Sequence, residues 1–433
     1  MIYQQLSAPL HTQIELTTIC NNKCRHCYNY QKQAGHPETT MDINDLEYIM
    51  KKLSTARVFT VTLTGGEPLL FPDLVLRAAA LCNHYKIPFG INSNLTTFDD
   101  NLLKELAQYG KFSVLTSIAS CREKTHDYLV GRKGAFCETV ETIKKIVSKG
   151  VDVSVNMVIT RKNSSDVYET GRFSYELGAK YFNVTKACCP AGCEHFDHLR
   201  PTKEDILQSL DDALRVQQDF KISVDSLTSY PHCVLKNLEK YSSFTHRKCS
   251  AGKIDCAIGP NGEVRPCPQS DMIYGNILED DLSNIYSKMT DWLTDDLLPK
   301  ICVSCPQFIY CGGGCRYDAK AMGDIAGMDP LATNPNDVYP LIERPVSIKL
   351  DNRQKIYFPK SVSYRKEEFG AIFYNHATGT SVLLDHDASE IVSIMLGKEA
   401  CFHKILQVAG CDYNDGVEDV FQSLIQNSIA VVV

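Results

Sequence analysis

Between Gln13 and Gln218, short runs rich in β-branched and aromatic residues alternate with amphipathic stretches of helical period, and no other feature constrains the fold as tightly. The strand candidates are QIELTTI, VFTVTLTG, PFGINSN, KFSVLTSI, VDVSVNMVIT and KYFNVTKA, and the helix candidates between them include DLEYIMKKLSTA, DLVLRAAALCNHY, NLLKELAQY and ETVETIKKIVSKG. Such alternation is the signature of a parallel α/β layer, because parallel neighbours need a crossover and a helix usually supplies it. Six β/α repeats fit an incomplete barrel, so the expected core is a partial (β/α)6 TIM barrel with its chemistry beyond the C-terminal ends of the strands.

Cysteine is the second constraint. The chain of 433 residues carries 19 cysteines, an odd number at a density below that of a small disulfide scaffold. Its opening, MIYQQLSAPLHTQIEL, lacks the basic and apolar regions of an export signal, so metal binding is the better reading of the thiols. With no uninterrupted apolar run of about 18 residues, the expected location is cytoplasmic and no membrane partner is expected. A formal charge of -7 gives no whole-chain footprint for nucleic acid. A prior of roughly one domain per 150 residues suggests about three, and composition places them at 1–225, 226–340 and 341–433. From His232 to Cys315 the chain is rich in Cys, Gly and Pro and poor in long periodic elements, as expected of a segment ordered by metal. The stretch DPLATNPNDVYP then reads as a linker.

Directly after the first strand, CNNKCRHCYN sets Cys20, Cys24 and Cys27 in C-x3-C-x2-C spacing. Three thiolates on one loop can hold three irons of a [4Fe–4S] cube, whereas an electron-transfer cluster normally takes four, so one iron is left open to chelate a substrate or cofactor. At the end of the second strand stands TGGEP, where Gly65 and Gly66 permit close backbone approach to a ligand and Glu67 offers an acceptor, followed by Pro68. Together the two motifs resemble the radical S-adenosylmethionine (SAM) superfamily over roughly Ile14 to Lys186. The resemblance implies that Cys20, Cys24 and Cys27 ligate the cluster, that SAM caps the open iron through its amine and carboxylate, and that Gly65, Gly66 and Glu67 hold the amine. It also implies reductive cleavage of SAM to a 5′-deoxyadenosyl radical that abstracts hydrogen, with electrons from a small donor such as flavodoxin or ferredoxin. Asn92 and Asn94 in INSNLT, Ser117 in TSIAS and Arg132 in HDYLVGRKG match further SAM-contacting positions of the family. Many relatives continue the fourth strand as Ser-x-Asp-Gly, but Ala119 and Ser120 stand here, so an acid–base role for that Asp does not transfer and no catalytic residue is assigned.

Downstream, Cys249, Gly262 and Cys267 are followed by CVSCPQFIYCGGGC, with Cys302, Cys305, Cys311 and Cys315 in C-x2-C-x5-C-x3-C spacing. This matches the SPASM extension of radical SAM peptide and protein maturases, which usually binds two auxiliary [4Fe–4S] clusters. Carried over by position, Cys249, Cys256, Cys267 and Cys315 would ligate the first, and Cys302, Cys305 and Cys311 most of the second. The family's last Cys is missing from RYDAKAMGDIAGMDPLATNP, so Asp324, Asp329, a distant thiol or an open iron takes its place. In CCPAGC, Cys188, Cys189 and Cys193 read either as idle thiols or as a radical quencher, proton donor or extra iron ligand. Cys82, Cys121, Cys137, Cys233, Cys401 and Cys411 are isolated and receive no role.

The last ninety or so residues read as strands (VSIKL, KIYFP, AIFYNH, SVLLD) and then helices (ASEIVSIML, FHKILQVAG, VEDVFQSLIQN), a small winged-helix α+β pattern ending in IAVVV. It resembles the RiPP recognition element, a peptide-binding domain that captures the leader of a ribosomally made precursor, and an exposed sheet edge suits such capture. A DNA-reading helix would need Lys and Arg, yet from Glu367 onward only Lys398 and Lys404 are basic. Lys349, Arg353, Lys355, Lys360, Arg365 and Lys366 could instead meet an acidic leader. The expected function is radical maturation of a precursor peptide by a thioether or carbon–carbon crosslink or a related side-chain change. The alternatives are a formylglycine-forming sulfatase maturase and a non-catalytic iron–sulfur sensor.

Overall fold

Seven strands lie side by side in chain order, each parallel to the last: β1 (His11–Thr17), β2 (Thr60–Gly65), β3 (Phe89–Asn92), β4 (Ser113–Ser117), β5 (Asp152–Ile159), β6 (Tyr181–Lys186) and β7 (Ser223–Asp225). The computed structural model describes residues 2–32, 36–189, 196–333, 351, 353–410 and 415–433, and the chain divides into two compact units, Met1–Ile342 and Glu343–Val433. The strands β1 to β6 fall on the six runs expected from sequence. The seventh, three residues long, carries too short a pattern to register as a strand.

Between the strands run α1 (Ile43–Thr55), α2 (Pro72–Tyr85), α3 (Asp100–Leu106), α4 (Glu123–Val130), α5 (Ala135–Ser148), α6 (Val167–Glu176) and α7 (Lys203–Phe220). Each of the long ones buries a single apolar face, as Leu46, Ile49, Met50 and Leu53 do on α1. α7 starts at a capping box in which Thr202 and Asp205 satisfy each other's backbone N–H groups.

The Cys-rich segment shares the first unit, because its strands continue the same sheet. β8 (Asp255–Ile258) is parallel to β1, with Thr12 opposite Cys256, and antiparallel β9 (Glu263–Arg265) and β10 (Gly275–Asn276) follow outward. Two buried charge clusters seal this junction. Glu15 on β1 pairs with Arg265 on β9, both fully buried, and Asn29 donates to the other Glu15 oxygen at 3.1 Å. At the end of β6, Lys186 Nζ lies 2.7 Å from Asp318 and 2.6 Å from Asp329, and all three side chains are at most 3% exposed. Burial opposes the Lys186 charge, but the two carboxylates outweigh it and hold the ammonium well above the usual lysine range.

In the second unit, β12 (Val362–Glu367), β13 (Gly370–Asn375) and β14 (Thr380–Leu384) form an antiparallel sheet with β13 central. The hairpin between β12 and β13 needs Gly370 at φ 142, where a Cβ would meet Leu384 O at 2.2 Å. β11 (Lys355–Tyr357) pairs on one side with β15 (Glu399–Cys401) and on the other with β16 (Val431–Val432), so the apolar tail closes this unit's own small sheet. Phe358, Phe373, Phe402, Ile405, Phe421 and Leu424 build the core between the sheets and the helices His386–Met395, Phe402–Ala409 and Asp415–Gln426. One expectation is corrected here: Arg365 is not a surface cation but is buried beside Glu367 at 2.7 Å, because its position on β12 faces inward. The expected strand VSIKL, most of the linker, Lys349, Cys193 and Cys411 lie outside the described residues.

Removing Lys186 leaves two buried carboxylates unpaired, so Lys186→Met is expected to lower the unfolding free energy by about 3–5 kcal/mol. Urea unfolding at matched iron content checks this, and a midpoint equal to the parent's contradicts it.

Candidate active site and metal centres

The register of β1 against β2 places Thr17 opposite Gly65, so the cysteine loop leaving β1 and the TGGEP turn leaving β2 begin side by side. Gly66 N–H donates to Thr17 O at 2.6 Å and Glu67 N–H to Ile19 O at 2.8 Å. A Cβ on Gly66 would stand 2.1 Å from Ile19 O, and one on Gly65, at φ 127, 2.3 Å from Thr17 O. The glycines therefore admit the backbone that carries Cys20, a close approach that serves the protein's own chain.

The cysteine loop is braced from its other side by the end of α4. Lys23 N–H donates to Val130 O at 3.0 Å and Arg25 N–H to Leu129 O at 2.9 Å, while Gly131, at φ 69, makes room for Lys23 O. Arg25 also donates to Tyr128 O and lays its guanidinium 4.4 Å from the Tyr128 ring centre. Cys20, Cys24 and Cys27 are partly exposed, and Asn22 N–H donates to Cys20 Sγ at 3.4 Å, the amide-to-sulfur contact that suits a cluster-bound thiolate. His26 between them is buried, and burial followed by the neighbouring His126 brings it down to about 4, so it stays neutral. Its Nδ1 and Asn22 Oδ1 are buried without a hydrogen-bond partner among the described residues. A three-thiol loop lined by unsatisfied polar atoms fits an iron–sulfur cluster with a bound polar cofactor.

Glu67 is 1% exposed. Its carboxylate accepts from Ser93 Oγ at 2.8 Å, Leu69 N at 3.0 Å and Asn94 N at 2.7 Å, and burial pushes it up to about 7 against those three donors. It thereby fastens the β2 turn to the residues after β3. Asn94 donates in turn to Asn21 Oδ1 at 2.8 Å, which ties the same residues to the cysteine loop. Asn92 and Ser117 end β3 and β4, on the same rim. Arg132 follows Gly131, and its guanidinium is held by Glu138 at 2.9 Å.

The auxiliary thiols fall into two sets. Cys267 is raised by burial and then by Cys249 and Cys315, which marks these three as neighbours. Cys188, from the segment after β6, stands beside Cys315: its Sγ donates to Lys186 O at 3.8 Å, and the interaction of the two thiols holds Cys188 well above the ordinary thiol value and Cys315 below it. Cys256 does not join them. Its thiol lies 3.6 Å from Thr12 Oγ1, fully buried, and burial pushes it up to about 12. Side chains alternate along a strand, so Cys256 takes the face opposite to Ala257, which stands across from Arg265. Spacing along the chain could not reveal this, because the strand direction of β8 decides it. In the second set, Cys302 is raised to about 11 by burial and by Cys311, with further neighbours Cys233 and Cys305. Cys233 carried no signal in the sequence, being remote from every motif.

Residues 14–173 match the family model described as the radical SAM superfamily, and residues 249–306 match that of an iron–sulfur cluster-binding domain. The antilisterial bacteriocin subtilosin biosynthesis protein AlbA of Bacillus subtilis is 30% identical over 322 residues, 70% of this chain and 67% of that protein. The sporulation killing factor maturation protein SkfB of the same organism is 31% identical over 285 residues, 64% of this chain and 65% of its own. This chain thus spans about two thirds of the length of each. Among solved structures, Streptococcus suis SuiB bound to precursor peptide SuiA superposes with a TM-score of 0.60 at 19% identity, covering 75% of this chain and 76% of that one.

Since a Cβ on Gly66 collides with backbone that cannot move without the cysteine loop, Gly66→Ala is expected to lose about four irons per chain, one cluster's worth, from reconstituted protein. Cys256→Ala should retain the parent's iron. Iron analysis of both variants checks this, and the reverse pattern contradicts the placement.

Proposed function

Because the chain belongs to the radical SAM superfamily, we propose that it is a maturase that modifies a ribosomally synthesised precursor peptide, by a thioether or carbon–carbon crosslink or a related side-chain change. The observation that carries this is the joining, in one unit, of the Cys20–Cys24–Cys27 loop at the strand ends with two further thiol sets from the segment whose strands continue the same sheet. The [4Fe–4S] cluster and SAM supply reductive SAM cleavage and hydrogen abstraction from unactivated C–H bonds. This chain's residues hold and orient them: Cys20, Cys24 and Cys27 bind iron, the backbone of Gly65 to Pro68 lines the cofactor, and Asn92, Asn94, Ser117 and Arg132 contact SAM. Glu67 serves as the brace that keeps this rim together. Cys249, Cys267 and Cys315, with Cys188 as the fourth thiol, hold the first auxiliary cluster, and Cys302, Cys305 and Cys311 belong to the second.

The peptide assignment is supported by relatives whose names are those of a bacteriocin biosynthesis protein and a killing-factor maturation protein. It also gives the second unit a use, which the sulfatase-maturase reading does not. We assign to that unit the capture of the precursor leader along an outer strand of the β12–β13–β14 sheet, with Leu383 on β14 presenting a 44% exposed apolar side chain beside it. The electron donor is a small flavodoxin or ferredoxin, and the location is cytoplasmic; among the described residues no helix is long and apolar enough to cross a membrane.

Reconstituted protein treated with dithionite and SAM is expected to release 5′-deoxyadenosine, and Cys20→Ala/Cys24→Ala/Cys27→Ala to release none while keeping its auxiliary iron. Undiminished release by the triple variant contradicts the assignment and favours a sensor. With a synthetic peptide of acidic leader composition as probe, Leu383→Asp should weaken binding about tenfold, the loss of one apolar anchor, and leave uncoupled SAM cleavage intact. Unchanged binding removes the leader-capture role from this strand.

A further inference from the structure

The late cysteine that would complete the second auxiliary set is missing from residues 316–333, and the three carboxylates there are already engaged, Asp318 with Lys186 at 2.7 Å. Asp329 holds Lys186 and accepts the N–H groups of Cys315 and Leu331 at 2.9 and 3.0 Å. Asp324 accepts Ala326 N–H at 2.9 Å within its own turn. The Met328 thioether lies 3.8 Å from Cys302 Sγ, but the thiol that stands by this set comes from nearly seventy residues upstream of Cys302. Cys233 stands in the short helix His232–Leu235, and the N–H of the residue before it, His232, donates to Cys311 Sγ at 3.4 Å. From the other side Thr333 donates its N–H to Cys233 Sγ at 3.2 Å and its hydroxyl to Cys233 O at 2.6 Å. Both the backbone and the sulfur of Cys233 are thus fixed beside Cys311. The sulfur already receives the amide hydrogen bond that stabilises a thiolate and tunes a cluster's potential.

We propose that Cys233 is the fourth protein ligand of the second auxiliary cluster, closing the Cys302, Cys305 and Cys311 set from outside their motif. The proposal rests on the presence of that cluster. A cube held by four thiolates offers no iron to a substrate, so this centre carries electrons and does not bind peptide.

The test uses the full-length chain carrying Cys20→Ala, Cys24→Ala and Cys27→Ala, so that only auxiliary clusters contribute. Iron per chain and the EPR spectrum of the dithionite-reduced protein are compared for Cys233→Ala, Cys233→Ser and, as the arm that tests the cluster itself, Cys302→Ala. The expected result is a loss of about four irons, one cube, in Cys302→Ala, and of between about one and four in Cys233→Ala. One of two auxiliary EPR signals should disappear or change in Cys233→Ala. Cys233→Ser, which keeps a hydrogen-bonding side chain if the alanine variant does not fold, should hold iron but shift the g-values of that signal alone. Parent-like iron and both parent signals in either Cys233 variant, alongside loss in Cys302→Ala, would overturn the assignment of Cys233 and leave the cluster standing. Parent-like iron in Cys302→Ala would overturn the cluster and the proposal with it.

Discussion

A buried ammonium must be neutralised where it stands, and in this chain the neutralisation of Lys186 decides where thiols go. Taking the three charges of Lys186, Asp318 and Asp329 out of water costs several kcal/mol for each ion unless their geometry is well made, so the three side chains have little freedom of position. Cys188 follows Lys186 by two residues, Asp318 follows Cys315 by three, and Asp329 accepts the Cys315 N–H. Fixing the charges therefore brings Cys188 and Cys315 together. Glu15 and Arg265 do the same at the other flank of the sheet, between the strand that feeds the Cys20 loop and the strand that feeds Cys267. The auxiliary segment is held to the barrel by these pairs and by the β1–β8 ladder, so the clusters have a folded frame to enter.

Much of the frame was legible in the sequence, because buried parallel strands and amphipathic helices write their period directly into composition. The six main strands and the three-thiol loop were read from that period and from spacing. What escaped depends on contacts between distant residues. Cys233 and Cys188 acquire their neighbours only when β6 and β7 bring their following loops to the auxiliary segment. Cys256 was drawn into a ligand set by its number along the chain, and the alternation of a strand turned it toward Thr12. In the second unit β12 was missed because its charged residues mask its pattern, and one of them, Arg365, is paired inside.

The GGEP turn shows how one motif serves two ends. Its glycines let β2 lie against the cysteine loop with backbone contacts no side chain would permit, and its glutamate binds the exits of β2 and β3 into one rim. Ligand binding at this rim then uses backbone and neighbouring side chains that are already held in place, which is the preorganisation a reactive intermediate requires.

On this proposal one unit assembles three iron–sulfur sites from thiols of both the barrel and the auxiliary segment. Anomalous X-ray diffraction at the iron edge from crystals of the reconstituted protein tests it most directly. Three separate iron clusters are expected, one at Cys20, Cys24 and Cys27, a second touching Cys188 with Cys249, Cys267 and Cys315, and a third touching Cys233 with Cys302, Cys305 and Cys311. Iron confined to the Cys20 loop, or zinc in the downstream thiols, would contradict it.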